Sequence, residues 1–323
     1  MTGDELERIA AGYRTFVEEA TGSSPLYAEL AAHVAGDRAV LRFLAALPAG
    51  KRQPNLLLAA LQFLHGAAPR DGAELRRLVI GDAERLRATM YERATQTNEP
   101  ARCTGLLPAL GLLDGPLALI EVGASAGLCL YPDRYGYDYD GVPVGPAGAV
   151  HLRCTTSGAV PVPERLPDVT ARIGIDLNPL DPADPDDRAW LRALIWPGPE
   201  AAARLARLDA AAGIAGADPA QMLAGDLVDR LPDALDLVPA GCTAVVFHTA
   251  VLPYLPRERR AAFLDLVTAS PVRWIAQEAP GVVPGTGPEP PGGWGTEFLL
   301  SLDGRPLART APHGGRIEWL DVA

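Results

Sequence analysis

Four short apolar runs in the second part of the chain restrict the folds that it can adopt. Turn residues flank each of these runs, which are LALIEVG (117–123), ARIGID (171–176), TAVVFH (243–248) and VRWIAQE (272–278). Runs of this kind are typical of buried parallel strands. Helical patterns separate the runs, at about 186–195, at about 199–212 and at RERRAAFLDLVTA (257–269). Because strands alternate with helices, we predict an α/β fold with a doubly wound, mostly parallel sheet.

The first part of the chain carries a helical period and no strand pattern. Apolar residues recur at helical spacing in DELERIAAGYRTFVEEA, PNLLLAALQFLHG and AELRRLVIGDAERLRATMYERA. Ser24 followed by Pro25 is typical of a capped helix start. We therefore predict two domains, a helical N-terminal cap over residues 1–114 and an α/β domain over residues 115–323.

Charge and cysteine content exclude several classes of function. The net charge is −11 and Lys51 is the single lysine, so the chain lacks the basic stripe that neutralises nucleic-acid phosphates. No apolar run reaches the roughly 18 residues of a membrane span, and the N-terminal residues show no secretory-signal pattern. No C-x-x-C spacing relates the four cysteines. We therefore expect a cytoplasmic protein with reduced thiols that binds neither nucleic acid nor membrane.

The most informative segment is the glycine-rich turn in LALIEVGASAGLCL. A strand ends near Glu121, and Gly123, Ser125 and Gly127 then lead into a predicted helix. Glycine in such a turn permits backbone angles that a Cβ forbids and lets a ligand approach the main chain. The amides at the start of the helix would be free to bind an anionic group. This interpretation makes the turn a cofactor-binding loop.

The same segment also matches G-x-S-x-G, the nucleophile elbow of α/β-hydrolases. Ser125 would then be the nucleophile, and the order Ser125, Asp226, His248 (or His313) suits a hydrolase triad. Two features oppose this interpretation: about 115 helical residues precede the first strand, and no HGGG-type oxyanion motif comes before Ser125. Both interpretations of the turn stay open at this point.

Polar residues also stand at the predicted ends of the later strands. Asp176 ends its strand, where a carboxylate can bind both hydroxyls of a ribose. Asp226, with Leu227 beside it, follows a short apolar segment, and its carboxylate could accept a hydrogen bond from an adenine amino group. His248 ends the next strand, and Tyr254 lies in the turn beyond it. Because parallel strands end at one edge of a sheet, we predict that these residues face one crevice.

This order of glycine turn, ribose acid, adenine acid and fourth-strand motif resembles class I S-adenosylmethionine-dependent methyltransferases over about residues 115–323. The C-terminal segments TEFLLSLDGRPLART and GRIEWLDV, which read as an antiparallel pair, also suit that fold. The resemblance implies a Rossmann-like, seven-stranded sheet with an antiparallel C-terminal strand. It also implies S-adenosylmethionine as the cofactor, in contact with Glu121, Gly123, Ser125 and Gly127.

Four further segments are informative: TQTNEPAR (95–102), EVGASAGLCLYPDRYGYDYDG (121–141), GIDLNPLDP and WLRALIWPG. Together they resemble an uncharacterised bacterial family (DUF2332), and this narrower resemblance spans nearly the whole chain. This resemblance implies no substrate, because the family has no firm functional assignment.

One spacing departs from the methyltransferase pattern. The ribose acid of nucleotide-binding folds usually lies about 20 residues past the glycine turn, whereas 55 positions separate Glu121 from Asp176. The additional residues between Glu121 and Asp176 alternate in polarity and contain turn glycines. We therefore predict a hairpin inserted over the site at about 136–160. Its tyrosines either line an acceptor pocket or pack within the hairpin.

The predicted chemistry needs a base and a partner for the cofactor carboxylate. Methyl transfer is an in-line displacement, and a hydroxyl or ammonium acceptor must also lose a proton. His248 is the first candidate for the base and Glu278 the second, and a structural histidine is the alternative. Arg102 either pairs with the cofactor carboxylate or belongs to a helix start capped by Asn98. The Gly/Pro-rich segment 280–295 is either a mobile lid or disordered.

We therefore predict a methyltransferase-like enzyme that uses S-adenosylmethionine and acts on a small-molecule substrate. A second hypothesis keeps the fold without the chemistry, as a nucleoside- or cofactor-binding protein. A third uses S-adenosylmethionine differently, for example in a cyclisation, since a fold does not fix a reaction. The hydrolase with Ser125 as its nucleophile is the remaining hypothesis.

Overall fold

The computed structural model describes residues 3–287 and 297–321. The chain forms two compact units, and each is described here by itself. One unit consists of Met1–Thr97 with Asp184–Leu208, and the other of Asn98–Ala183 with Asp209–Ala323. These units differ from the predicted domains for residues 98–114 and 184–208.

The helices of the described residues begin and end as follows. They are α1 (Gly3–Ala20), α2 (Pro25–Gly36), α3 (Arg38–Ala45), α4 (Pro54–His65), α5 (Gly72–Gly81), α6 (Ala83–Glu92), α7 (Cys103–Leu110), α8 (Pro185–Ala193), α9 (Ala201–Ala217), α10 (Leu227–Asp236) and α11 (Arg257–Ala269). Short 3-10 helices cover Ala49–Lys51, Pro100–Arg102, Leu128–Leu130 and Leu252–Tyr254. No helix in the described ranges is long and apolar enough to cross a membrane.

The first unit is helical, as its apolar period predicts. Ser24 caps α2 by accepting a 3.3 Å hydrogen bond from the backbone N–H of Tyr27, and Pro25 occupies the first turn. This confirms the predicted helix start. Trp190 of α8 is fully buried in this unit, and its Nε1 donates to the carbonyl oxygen of Ala94 at 3.0 Å. An indole buried with a partner of this kind is part of the packing.

The second unit contains one large sheet. Its strands are β1 (Leu117–Val122), β2 (Gly136–Tyr139), β3 (Val142–Val144), β4 (His151–Ser157), β5 (Val169–Asp176), β6 (Gln221–Ala224), β7 (Thr243–Thr249), β8 (Arg273–Glu278), β9 (Phe298–Leu302), β10 (Arg305–Thr310) and β11 (Arg316–Trp319). They lie in the order β3-β2-β4-β11-β10-β9-β8-β7-β1-β5-β6. The protein is thus a mixed α/β structure, as predicted.

Five neighbouring strands, β6-β5-β1-β7-β8, are parallel throughout. From β1 the chain adds β5 and β6 on one side and then β7 and β8 on the other, so the direction of strand addition reverses between β1 and β7. In doubly wound sheets, ligands bind outside the carboxyl ends of the strands at such a reversal. The position of the glycine turn, directly after β1, coincides with it.

The rest of the sheet differs from the predicted seven strands, because residues 3–287 and 297–321 form eleven strands and several of these are antiparallel. The pairs β8–β9, β9–β10 and β10–β11 are antiparallel, in line with the antiparallel C-terminal pattern. The predicted hairpin at about 136–160 supplies β2 and β3, but these strands form the outer edge of the sheet next to β4. The hairpin therefore widens the sheet, whereas we predicted that it would cover the site.

An apolar cluster lies on one face of the parallel strands. It contains residues of β1, β5 and β7 together with Leu231 of α10 and Phe263 and Val267 of α11, which are buried. Burying each such side chain contributes about 1.5–3 kcal/mol to the stability of the unit. This packing holds the parallel strands in register and so places their carboxyl ends.

Candidate functional site

The glycine turn closes against the end of β5. The backbone N–H groups of Gly123 and Ala124 both donate to the carbonyl oxygen of Ile175, at 2.8 and 3.0 Å. Gly123, Ser125 and Gly127 have φ angles of 71°, 54° and 69°, so alternate residues of the turn are left-handed. The predicted need for unusual backbone angles is confirmed, although Ser125 meets it with a side chain.

Gly123 is required by its neighbour as well as by its backbone angle. A Cβ at this position would lie 2.5 Å from Cγ2 of Val251, which follows β7. Such a distance is too short for two carbon atoms. The side chain of Val251 therefore covers Gly123, and the glycine permits this close approach.

No α-helix follows the turn, and this part of the prediction is wrong. A single 3-10 helix, Leu128–Leu130, is followed by Tyr131 in a non-helical conformation. Pro132 explains this, because a residue before proline is pushed out of the α region. The N–H of Leu128 is already bonded to Oδ1 of Asn98 at 2.9 Å. The turn therefore offers no α-helix N-terminus to an anionic group.

Asp176 at the end of β5 holds the turn in place. Its Oδ2 accepts a 2.7 Å hydrogen bond from the N–H of Ser125, and its Oδ1 accepts one of 2.8 Å from the N–H of Asn178. The predicted meeting of the strand-end acid and the glycine turn thus takes place. A ribose would share this carboxylate with two backbone amides.

Asp226 and Leu227, the predicted adenine contacts, begin α10. Oδ1 of Asp226 caps the helix by accepting from the N–H of Val228 at 2.8 Å, and the carboxylate also pairs with Arg259. Burial would raise the pKa of Asp226, but the hydrogen bond and charge of Arg259 lower it overall. Leu227 is buried in the apolar cluster. These contacts give both residues structural roles, and adenine binding stays a prediction.

Glu121 is the most unusual charged group at this edge. Its side chain is buried, and its Oε2 has no hydrogen-bond partner among the described residues. Burial raises the pKa of Glu121 well above its ordinary value, Cys129 adds to the rise, and the charge of Arg102 opposes it. A buried carboxylate oxygen without a partner is costly, and at a strand end it marks a site for a cation or a donor.

Arg102 is buried close to Glu121 and joins two parts of the unit. Its Nη1 donates to the carbonyl oxygen of Thr249 at 3.0 Å and to Oγ1 of the same residue at 3.3 Å. Its Nε donates to the carbonyl oxygen of Pro312 at 2.9 Å. Arg102 therefore braces the end of β7, and its pairing with a cofactor carboxylate stays a prediction.

The segment around Arg102 begins a helix, as the structural alternative predicts, although Glu99 and not Asn98 is its cap. Asn98 reaches the glycine turn through the N–H of Leu128. The cap of the short helix is Glu99, whose Oε1 accepts from the N–H of Ala101 at 3.1 Å. The polar residues of TQTNEPAR thus have two roles: Asn98 supports the glycine turn, and Glu99 caps the short helix Pro100–Arg102.

His248 is fully buried, and both of its ring nitrogens have partners. Nδ1 lies 2.6 Å from Oε1 of Glu278, and Nε2 accepts from Nε1 of Trp274 at 3.1 Å. Because an indole N–H only donates, Nδ1 carries the proton and donates to Glu278. The ring also packs edge-on against Phe263. This geometry favours the structural alternative for His248, since no lone pair is free to accept a proton from a substrate.

Glu278 has one engaged and one free oxygen. Besides His248, Oε1 accepts from the N–H groups of Val251 and Leu252 at 2.8 and 3.2 Å. Oε2 is buried and has no hydrogen-bond partner among the described residues. Glu278 thus holds the segment after β7 to the end of β8.

Several predicted or apolar residues lie at the rim of this edge. Tyr254 is 56% exposed, and Leu177, which follows Asp176, is 78% exposed. The exposure of Leu177 could not be predicted from the sequence, because an isolated leucine beside a strand end is typical of the strand itself. Exposed large apolar residues next to a candidate ligand site are available to cover a ligand ring.

The tyrosines of the 136–160 segment and its approach pack and do not line a pocket. The hydroxyls of Tyr135, Tyr137 and Tyr139 donate to backbone carbonyl oxygens at 2.6, 2.7 and 2.8 Å, and all three side chains are buried. Burial raises the pKa of each hydroxyl well above its ordinary value. The packing alternative therefore holds for these residues.

Further predicted features can be placed only in part. Val282 and Val283, at the start of the proposed lid, are buried in the apolar cluster, whereas residues 288–296 lie outside the described residues. All four cysteines are free. Within the described ranges no group of three or more His, Cys, Asp or Glu side chains is arranged to hold a metal ion.

Comparison with protein families identifies a family that the chain matches. A family model described as "Uncharacterized protein conserved in bacteria (DUF2332)" matches residues 10–319. Comparison with curated proteins finds no match. The match extends over most of both compact units and includes every residue of the candidate site.

Proposed function

We propose that this chain, which belongs to the DUF2332 family of uncharacterised bacterial proteins, binds S-adenosylmethionine at the carboxyl edge of β1 and transfers its methyl group to a small molecule. The observation that carries the proposal is the buried carboxylate of Glu121 at the reversal of strand order, one oxygen of which has no hydrogen-bond partner in the part of the chain that the structure describes. A cationic ligand would supply the missing partner.

The residues at this edge fit the charges of S-adenosylmethionine. Its ammonium or sulfonium group would pair with Glu121, and its carboxylate would meet the charge of Arg102. Gly123 and Gly127 carry no side chains of their own, so the left-handed turn brings the main chain close to this edge of the sheet. The lack of an α-helix N-terminus after the turn is compatible with this cofactor, because it carries no phosphate.

The proposed reaction is an in-line displacement. Bound S-adenosylmethionine supplies a methyl group attached to a positively charged sulfur. The chain's own residues would hold that carbon in line with the acceptor and exclude water. A hydroxyl or ammonium acceptor must also release a proton. Since both nitrogens of His248 are engaged, Tyr254 at the rim and the free Oε2 of Glu278 are the remaining candidates for that step.

One observation favours the hydrolase as a second candidate function. Ser125 has a φ of 54°, and a strained, left-handed serine after a strand is a feature of the nucleophile elbow. However, Oγ of Ser125 has no hydrogen-bond partner among the described residues, so no histidine there activates it. We therefore rank the hydrolase below the cofactor-binding enzyme.

Two further hypotheses share the binding site and differ in outcome. A cofactor-binding protein would hold S-adenosylmethionine without turnover, and a cyclising enzyme would consume it without an acceptor. Incubation with labelled cofactor and a metabolite extract separates them. Label transferred to an acceptor indicates methyl transfer, whereas unchanged cofactor indicates binding alone.

Calorimetric titration with S-adenosylmethionine tests the proposal directly. We expect saturable binding by the full chain, weakened at least tenfold in Glu121→Gln, about the effect of losing one charged pair. Glu164→Gln, at an exposed position of the same unit, is the matched control and should bind as the unaltered chain does. Absence of binding at millimolar cofactor would overturn the proposal, and labelling of Ser125 by a fluorophosphonate would favour the hydrolase.

A further inference from the structure

The segment that follows β7 has a conformation that its own sequence does not favour. Ala250 has a φ of 58°, in the left-handed region, where a Cβ is unfavourable. Two of the other non-glycine residues with positive φ, Asp140 and Asp303, precede glycines in hairpin turns that require such angles. Ala250 lies in no hairpin, so other contacts must hold it.

The N–H of Ala250 donates to the carbonyl oxygen of Gln277 at 3.0 Å, and the N–H groups of the next two residues meet at one oxygen of Glu278. Left-handed Ala250 followed by right-handed Val251 directs successive N–H groups to the same side, an arrangement that binds anions. Oε1 of Glu278 accepts from the N–H groups of Val251 and Leu252. It also accepts from Nδ1 of His248, at 2.6 Å. Three donors thus fix a single carboxylate oxygen.

A second hydrogen bond, at the ring nitrogen that does not face Glu278, fixes the orientation of His248. Trp274 donates its indole N–H to Nε2 of His248, which leaves the proton on Nδ1 and points it at Glu278. His248, Trp274 and Glu278 are all buried, so water does not compete for these hydrogen bonds. The chain of contacts runs from Trp274 through His248 and Glu278 to Val251.

Val251 carries this arrangement to the glycine turn. Its side chain covers Gly123, at a distance that excludes any Cβ there. A change in the backbone at Ala250 would move Val251 away from the turn.

We propose that Glu278 and His248 are positioning residues, which hold Ala250 in its left-handed conformation and thereby keep Val251 over the glycine turn. Their effect on the ligand rests on the proposed function, because it requires that the turn bind the cofactor. Their effect on the conformation of the segment that follows β7 does not depend on the proposed function. The proposal gives His248 and Oε1 of Glu278 a shared role that is separate from the proton transfer considered for Oε2 of Glu278.

A rescue experiment tests this role. Glu278→Gln keeps the shape of the side chain and an acceptor oxygen, but removes the charge that strengthens its three hydrogen bonds. We expect it to weaken binding of S-adenosylmethionine about tenfold, because the left-handed conformation is then held less firmly. Adding Ala250→Gly to that variant should restore binding to within about threefold, because glycine adopts the left-handed conformation without a penalty. Glu164→Gln serves as the control for the substitution itself.

Hydrogen exchange provides a readout that does not depend on the ligand. In Glu278→Gln we expect faster exchange at the amides of Val251 and Leu252, with Val245–Phe247 of β7 unchanged. If the unaltered chain binds no S-adenosylmethionine, the proposed function fails, and this exchange pattern still decides the positioning role. Unchanged exchange at Val251 and Leu252, or no rescue by Ala250→Gly, would overturn it.

Discussion

Asp176 fixes the conformation of Ser125 through a hydrogen bond of 2.7 Å, in which the carboxylate Oδ2 accepts from the backbone N–H. The bond joins the end of β5 to a residue with a left-handed backbone, and the second oxygen of Asp176 binds the N–H of Asn178. A charged acceptor makes a stronger hydrogen bond than a neutral one. Asp176 therefore maintains the turn before any ligand is present.

Removal of this acceptor should lower the stability of the protein. We expect Asp176→Ala to reduce the free energy of unfolding by about 1–3 kcal/mol, because the N–H of Ser125 loses its partner. Asp176→Asn, which keeps an acceptor oxygen, should cost about 1 kcal/mol or less. Urea unfolding measures both, with Asp168→Ala at an exposed position as the control. Equal stability of Asp176→Ala and Asp168→Ala would contradict this role.

If Asp176 also binds a ribose, its substitution has a second effect. Binding of S-adenosylmethionine to Asp176→Asn, measured at a temperature where the variant is folded, should then be weaker than binding to the unaltered chain. Intact binding in Asp176→Ala would show that the ribose assignment is wrong.

The left-handed conformation of Ser125 makes a glycine substitution favourable. Ser125→Gly should raise the free energy of unfolding by about 0.5–1 kcal/mol, since relief of the Cβ penalty exceeds the entropy cost of glycine. Ser125→Ala should change it little, because Oγ has no partner to lose. Ala126→Gly is the matched control and should destabilise by about 0.5–1 kcal/mol, as its φ is not positive. The same sign for both glycine variants would refute the strain at Ser125.

The parallel strands could be predicted because their signal is local. β1, β5, β7 and β8 are apolar runs between turn residues, and each lies within two residues of its predicted bounds. The width of the sheet could not be predicted, because β4 pairs with β11 more than 150 positions away along the chain. β6 is only four residues long, too short for a periodic signal. Strand pairing between distant segments leaves no mark in a local pattern.

The site was predictable in position and less so in detail. The contact of Asp176 with the glycine turn follows from parallel strands that end at one edge. The surroundings of His248 could not be predicted in this way. The alternation of side chains along β7 determines which face of the sheet His248 lies on, and its hydrogen bond with Trp274 comes from another strand. The predicted helix after Gly127 fails because Pro132 stops it within one turn.

The raised pKa of Glu121 predicts a dependence of stability on pH. At pH values above 4.5, the ordinary pKa of this carboxyl group, the folded protein holds the proton of Glu121 more tightly than the unfolded chain does. The free energy of unfolding therefore falls as the pH rises from 4.5 toward the pKa in the folded state, and no contribution is lost below 4.5.

Glu121→Gln isolates this effect. The variant should gain stability over the unaltered chain by up to about 1.4 kcal/mol for each pH unit within that window, and should match it below the window. Urea unfolding at a series of pH values measures the difference. Glu164→Gln should keep the original pH profile. A constant difference between Glu121→Gln and the unaltered chain at all pH values would mean that Glu121 does not titrate differently on folding.

Trp274 provides the last test, because its indole N–H is the donor that completes His248. Trp274→Phe keeps most of the ring and leaves Nε2 of His248 buried without a partner. We expect the free energy of unfolding to fall by about 2–4 kcal/mol, the sum of an unpaired buried acceptor and lost packing. Trp190→Phe is a matched control at another buried tryptophan, whose N–H binds a backbone carbonyl.

The histidine provides a direct readout of the same contact. Nitrogen NMR should show the proton of His248 on Nδ1 in the unaltered chain and in Trp190→Phe. In Trp274→Phe the proton should stay on Nδ1, because Oε1 of Glu278 still accepts it, whereas the Nε2 signal should shift because Nε2 loses the indole donor. A proton on Nε2 in the unaltered chain would show that Trp274 does not donate to Nε2, and the proposed chain of contacts through His248 would be wrong.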